Sequence, residues 1–403
     1  MLRRGAVVVA AGAALLFTGS PALADDVRGG QQAVIKTLAL TQAWQVSKGR
    51  GVTVAVLDSG VDPRHRDLIG SVRAGKDFTA GANPPGTRPS RLHGTYMASL
   101  IAGHGHGPGG KRGIIGVAPE ADVLSVRVIL EDEEPGFRKF NSAERFENVV
   151  ARGIRHAVDK GADVINMSIS KELATREERA AIRYAISRNV VLVAAAGNDG
   201  DRKADGDFAP YSYPAAFPGV VSVGATDRLL RRATFSNWNS SVLVAAPGVD
   251  IMGAGPGDEY WVGRGTSQAT ALVSGIAALI KAKYPGMSPP LVARALAGSA
   301  IDRPPGGYDT ATGFGVVNAA RALTEAARLA GHTEIAAGGQ AHDPAQPLAG
   351  GQAGPVAVIA RDERRVTIYA AVAAAAAAGA LASLAVIFIL VRRVRRAHIS
   401  QDA

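Results

Sequence analysis

The amino-acid sequence predicts an α/β fold built on a mostly parallel central sheet. Three observations carry this expectation. Apolar runs recur at Val52–Leu57, Asp122–Ile129, Ala162–Met167 and Val190–Ala195. Helical patterns fall between them, at Gly94–Ala102, Ser142–Lys160 and Arg176–Arg188. The apolar runs are nearly continuous rather than alternating, as in strands covered on both faces.

The chain has 403 residues, 47% of them hydrophobic, which suits one large globular domain with appendages. It has no cysteine, so disulfides and thiolate metal sites are excluded. The formal net charge is +10, but the two ends hold most of it. Residues 1–24 carry Arg3 and Arg4, and residues 361–403 carry seven Arg against three acids. Charge placed in this way speaks for topology signals and against a nucleic-acid surface.

Residues 1–24 join a basic start, an apolar run from Ala6 to Phe17 and an Ala-Leu-Ala24 site, the pattern of a secretory signal peptide. Residues 25–50 form an N-terminal extension, too short for a folded pro-domain of the usual kind. The large domain spans 51–327. A linker rich in Gly, Ala and Pro, 328–365, leads to an uncharged run of 26 residues, 366–391. A helix of that length spans a hydrocarbon core of about 30 Å. The tail 392–403 opens on Arg392-Arg-Val-Arg-Arg396, which places that end in the cytoplasm and the large domain outside. The expected location is therefore the cell membrane, single-pass, with an extracytoplasmic domain.

Within the large domain, three residues suit acyl transfer. Asp58 ends the first apolar run, at the strand end where parallel sheets gather their chemistry. His93 heads a helical segment. Ser267 follows a small-residue turn and opens the apolar run to Ile280, so its backbone N–H lies at a helix N-terminus. Acyl transfer needs a nucleophile, a base to take its proton, a group to orient the base and donors for the oxyanion. Ser267, His93 and Asp58 supply the first three. Asn198, in Ala194-Ala-Ala-Gly-Asn198, adds a side-chain amide donor. Each residue alone has a plainer reading, as a turn, a structural histidine or a helix cap; the combination carries the argument.

The segments Asp58-Ser-Gly, His93-Gly-Thr, Ala196-Gly-Asn198 and Gly265-Thr-Ser267, in that order, resemble the signature segments of the subtilisin-like serine proteases. Val164-Ile-Asn-Met-Ser168, Tyr213-Pro-Ala-Ala-Phe-Pro218 and Gly313-Phe-Gly-Val-Val-Asn318 extend the likeness. The resemblance implies a subtilisin-like three-layer fold on a seven-stranded parallel sheet, and endopeptidase activity. It also implies substrate contacts at Ser168, Ile169 and Ser170. The layout of signal, short extension, domain, tether and C-terminal helix resembles the mycosins, membrane-anchored proteases of type VII secretion. That likeness implies peptide or protein substrates and a membrane secretion assembly as partner. The competing readings are a scaffold that stabilises such an assembly with catalysis secondary, and a different serine hydrolase on the same triad.

The chain departs from the pattern in three ways. It lacks the disulfides usual in mycosins. Ala271 stands where many subtilases have proline. Ser170 and Lys171 stand where glycines often line the substrate channel, so side chains there narrow it. No cofactor is required by this reading, and no metal ligand is assigned; His104-Gly-His106 reads as a surface loop. Glu131-Asp-Glu-Glu134 reads as a solvated acidic loop, with structural calcium as its other reading.

Overall fold

A computed structural model describes residues 24–201 and 208–337, with Thr367, Ala371 and Ser383 beyond them. Contacts divide the chain into two units, 1–338 and 339–403. The signal-peptide residues 1–23, and the 366–391 run apart from those three residues, lie outside the described residues. Among the described residues no helix is long and apolar enough to cross a membrane.

The first unit opens on three short helices, α1 (Ala24–Gly30), α2 (Gln32–Thr37) and α3 (Leu40–Ala43). Seven strands then build the sheet: β1 (Thr53–Asp58), β2 (Val72–Asp77), β3 (Asp122–Arg127), β4 (Val164–Met167), β5 (Val191–Ala195), β6 (Val220–Thr226) and β7 (Val244–Pro247). Their order is β2-β3-β1-β4-β5-β6-β7, and every pairing is parallel. The helices are α4 (Leu92–Ala102), α5 (Val149–Asp159), α6 (Arg176–Ser187), α7 (Thr266–Lys283), α8 (Pro289–Gly298) and α9 (Ala319–Ala337).

The pleat sorts the strands' side chains into two cores. Val54, Val56, Val123, Val164 and Val193 face α4 and α7. Ala55, Leu57, Leu124, Ile165 and Leu192 face α5 and α6. Both faces of the sheet are therefore covered, which is why the strands read as unbroken apolar runs. Helix α7 is apolar on nearly all sides because it lies between the sheet and the layer of α8 and α9. The result is the subtilisin-like α/β fold expected of the sequence.

Several elements differ from expectation. The edge strand β2, Val-Arg-Ala-Gly-Lys-Asp, is half-exposed and carries no apolar run. The Ser142–Lys160 helix is broken: a short helix Phe137–Ser142 ends on extended Ala143, and α5 starts only at Val149. In a continuous helix Phe140 and Phe146 would sit about 120° apart. The break lets both enter one core, with ring centroids 4.9 Å apart. Helix α9 runs to Ala337, so the first ten residues assigned to the linker are helical. Leu323, Ala326 and Leu329 bury one face of that helix, and the Ala-rich composition sustains it.

The N-terminal extension is held without disulfides. Gln31 exchanges two hydrogen bonds with the Ile115 backbone, at 2.9 and 3.0 Å. The Trp44 indole donates to Val117 O at 2.8 Å. Arg28 donates to the carbonyls of Gly110 and Gly113, each at 3.0 Å. At the far end of the domain, Ala319 N–H donates to Leu38 O at 2.8 Å and Asn318 Nδ2 to Thr37 O at 3.4 Å. Leu38 itself is fully buried in the larger core. Leu38→Ala is expected to cost about 2–5 kcal/mol. A thermal melt checks this; an unchanged Tm would show the extension to be energetically separate from the domain.

Candidate active site

Strand β1 and helix α4 deliver the first pair. Asp58 is the last residue of β1 and is fully buried. His93 lies in the first turn of α4 and is also buried. His93 Nδ1 is 2.8 Å from Asp58 Oδ1 and 2.9 Å from Oδ2. Asp58 Oδ1 also accepts the Ser59 N–H at 2.7 Å. With a carboxylate facing it, Nδ1 carries the proton and Nε2 is the basic nitrogen. That Nε2 is buried and has no hydrogen-bond partner among the described residues.

The close seating of α4 on β1 depends on Gly94. A Cβ there would come within 2.1 Å of Gly60 O. The N–H of Gly94 donates to Ser59 Oγ at 3.0 Å, which satisfies one exposed donor of the helix start.

Burial alone would push the His93 imidazole down. The charge and hydrogen bond of Asp58, with the charge of Glu131, outweigh it and hold the group above its ordinary 6.5.

Helix α7 delivers Ser267 at its N-terminal end, where the backbone N–H groups and the helix dipole favour negative charge. Gly265 precedes it at φ 156°, and a Cβ there would meet Gln268 Oε1 at 2.8 Å. Ser267 Oγ donates to Ser168 O at 3.3 Å, and Ser168 Oγ donates to Ser267 O at 3.0 Å. The segment after β4 thus lies against the serine. It is anchored beneath by Asn166, whose amide donates to Ser168 Oγ at 3.1 Å and accepts from Ser274 of α7 at 2.9 Å.

Asn198 follows β5. Its Oδ1 accepts from both Thr266 N–H and Thr266 Oγ1, each at 2.9 Å. Two donors on the oxygen fix which end of the amide is nitrogen. The Asn198 Nδ2 lies on the Gly265 side, 3.5 Å from where a Cβ on that glycine would stand.

Of the residues expected to contact substrate, Ser168 is buried against Ser267, and Ile169 is buried in the core on the α5 and α6 face. The Ser170 and Ser212 hydroxyls are 2.5 Å apart, and Ser170 Oγ would be 3.2 Å from a Cβ on Gly197. Lys171 does not point into a channel: its ammonium is buried 2.5 Å from Glu178, and its backbone pairs with Tyr213. Ala271 is fully buried within α7, which starts without a proline.

The acidic loop is not the solvated one expected. Asp132 and Glu133 are exposed, but Glu131 and Glu134 are buried. Glu131 Oε1 accepts the His93 N–H at 2.9 Å. Glu134 accepts from Arg127 Nη2 at 2.5 Å and Asn83 Nδ2 at 2.6 Å. Neither sequence spacing nor composition links Glu131 to His93. The same holds for Thr266 and Ser59, whose bonds to Asn198 and Gly94 no local sequence signal marks. His104-Gly-His106 forms a short strand rather than a loop, with His106 Nδ1 2.6 Å from Asp67 Oδ1.

A sequence model of the subtilase family matches residues 49–315. The chain is 35% identical to the intracellular serine protease of Paenibacillus polymyxa over 59% of its own length and 69% of that protein. It is 36% identical to thermitase of Thermoactinomyces vulgaris, over 59% of its own length and 78% of the relative. Among solved structures it resembles the MycP3 protease from the type VII (ESX-3) secretion system, at TM-score 0.60 and 32% identity. That likeness covers 72% of this chain and 88% of the other. MycP1 from Mycobacterium smegmatis matches at TM-score 0.60 and 28% identity, covering 72% and 84%. The chain therefore belongs to the subtilase family of serine proteases and is mycosin-like in structure.

Proposed function

We propose that the chain is a membrane-anchored extracytoplasmic endopeptidase that works through Asp58, His93 and Ser267, with Asn198 as oxyanion donor. The observation that carries this is the buried His93, with Nδ1 against both Asp58 oxygens and Nε2 unpaired. A buried basic nitrogen without a partner is costly unless a donor arrives there. The Ser267 hydroxyl is the donor that acyl transfer requires. In the free protein it makes a long bond to Ser168 O; catalytic hydrogen bonds commonly tighten only with substrate in place.

In the proposed reaction Ser267 Oγ bonds to the scissile carbonyl carbon and its proton passes to His93 Nε2. Asp58 stabilises the imidazolium. The Ser267 N–H and Asn198 Nδ2 take the oxyanion. His93 then gives the proton to the departing amine, and the C–N bond breaks. Water repeats the sequence on the acyl-enzyme and frees the carboxylate.

The anchor rests on the run 366–391 and its basic flank. The likeness to type VII secretion proteases supports a membrane secretion assembly as partner and secreted proteins as substrates.

Labelling with a fluorophosphonate probe tests the site, because such probes trap only an activated serine. Wild type is expected to label and Ser267→Ala not. The rate should fall with acidity, because the base must be neutral. Since His93 is held above 6.5, half the activity should be lost at a pH above that value. A profile flat from about pH 5 to 9 counts against a histidine base. A folded wild type that does not label moves the weight to the scaffold reading.

A further inference from the structure

The start of helix α4 has no cap of its own. The residue before it, Arg91, has φ 58° and makes no side-chain capping bond. Its exposed donors are met instead by side chains from two other segments, Ser59 after β1 and Glu131 after β3. Glu131 is bound at both oxygens: Oε1 accepts the His93 N–H at 2.9 Å and Oε2 the Ser90 hydroxyl at 2.5 Å.

The carboxylate is itself held. The Glu131 N–H donates to Glu134 Oε1 at 3.2 Å, and the Glu134 N–H returns to Glu131 O at 3.0 Å. Glu134 is locked by Arg127, which also reaches Asp77 at 3.2 Å. Arg127 is the register partner of Asp58 on the neighbouring strand. One rigid chain of contacts thus runs from the strand beside Asp58 to the backbone of His93.

We propose that Glu131 is a positioning residue for the candidate base: it fixes the backbone of His93 at the head of α4 and sets a second negative charge near the imidazole. This rests on the reading of His93 as the base. A helix start is a favourable place for a carboxylate, and burial keeps its charge from being screened. The charged groups around the imidazole are Asp58 from β1 and Glu131 from the loop after β3, with half-buried Arg91 just before the helix. Around Glu131 stand Glu134 and, through it, Arg127; Asp132 and Glu133 face solvent. When Ser267 gives up its proton, the imidazolium forms in the field of two anions rather than one.

The test uses the full chain and three measurements: probe labelling rate against pH, peptide kcat and KM, and Tm. Glu131→Gln keeps an acceptor for the His93 N–H and removes the charge. Its acidic limb is expected to move down by about half to one pH unit, because His93 loses an anion that favours its protonated form. The plateau rate should fall about 3- to 10-fold with KM unchanged, since a one-unit shift is worth at most a factor of ten. Glu131→Asp keeps the charge but withdraws the acceptor; its limb should stay in place while kcat falls. A structural tether alone predicts a lower Tm with limb and plateau unmoved. An unshifted limb and unchanged plateau in Glu131→Gln overturns the proposal, as does an unchanged kcat in Glu131→Asp if the Gln variant does not fold. Failure of the wild type to label, or labelling that survives Ser267→Ala, overturns the parent reading instead.

Discussion

His93→Ala is expected to lower kcat/KM by about 10⁴-fold or more while leaving the fold intact. The argument is geometric. His93 is the base candidate for which the site provides both an oriented Nδ1 and an unpaired Nε2. Without the imidazole, the Ser267 proton has no acceptor of suitable basicity, and the hydroxyl returns to the poor nucleophile it is in water. The loss should equal that of Ser267→Ala, and the double variant should be no worse than either, because residues acting as one unit are non-additive. Stability should change little at the helix itself, because the backbone bond to Glu131 does not use the side chain. Near-wild-type turnover in a folded His93→Ala protein would remove the triad assignment. Circular dichroism alongside peptide kinetics separates loss of chemistry from loss of fold.

Asn198→Asp is expected to lower kcat by about 10²–10³-fold with little change in KM, the range found for such oxyanion donors in serine proteases. Aspartate keeps an oxygen for the two Thr266 donors and so preserves the turn before α7. It removes the amide nitrogen and puts an acceptor where the oxyanion needs a donor. Asn198→Ala loses both and leaves the Thr266 N–H without that acceptor, so it should be the less stable of the two. If Asn198→Asp retains wild-type kcat, Asn198 is only a brace for Thr266. The contrast between the variants separates the two roles, because only one of them disturbs the brace.

What could be read from the chain is what sits at the ends of regular elements. Asp58 closes an apolar run, and Ser267 opens a helix. Both signals are local, and their positions follow from strand and helix periodicity. The parallel sheet was legible for the same reason, since Val54, Val56, Ala55 and Leu57 alternate between two apolar cores rather than between core and water. Strand β2 was not legible, because it is a half-exposed edge with charged side chains. The acidic loop misled for a physical reason. Four carboxylates and a proline read as solvated until Arg127 and Asn83 arrive from separate segments to pair Glu134. The end of α9 was misplaced because an alanine-rich segment can be helix or tether, and its buried Leu323 and Leu329 decide the matter only once packed.

The bonds from Thr37 and Leu38 to Asn318 and Ala319 join residues 281 positions apart. This sets an order of events at birth. Synthesis at about 5–20 residues per second separates the two partners by roughly 15–55 s. Throughout that interval the fully buried Leu38 lacks the backbone partner that holds its carbonyl, and the large core lacks α9. Closing so long a loop costs entropy before any contact repays it. The domain therefore completes itself last at the seam between its beginning and its end, and until then the Leu38 carbonyl and the core face under α9 stay uncovered.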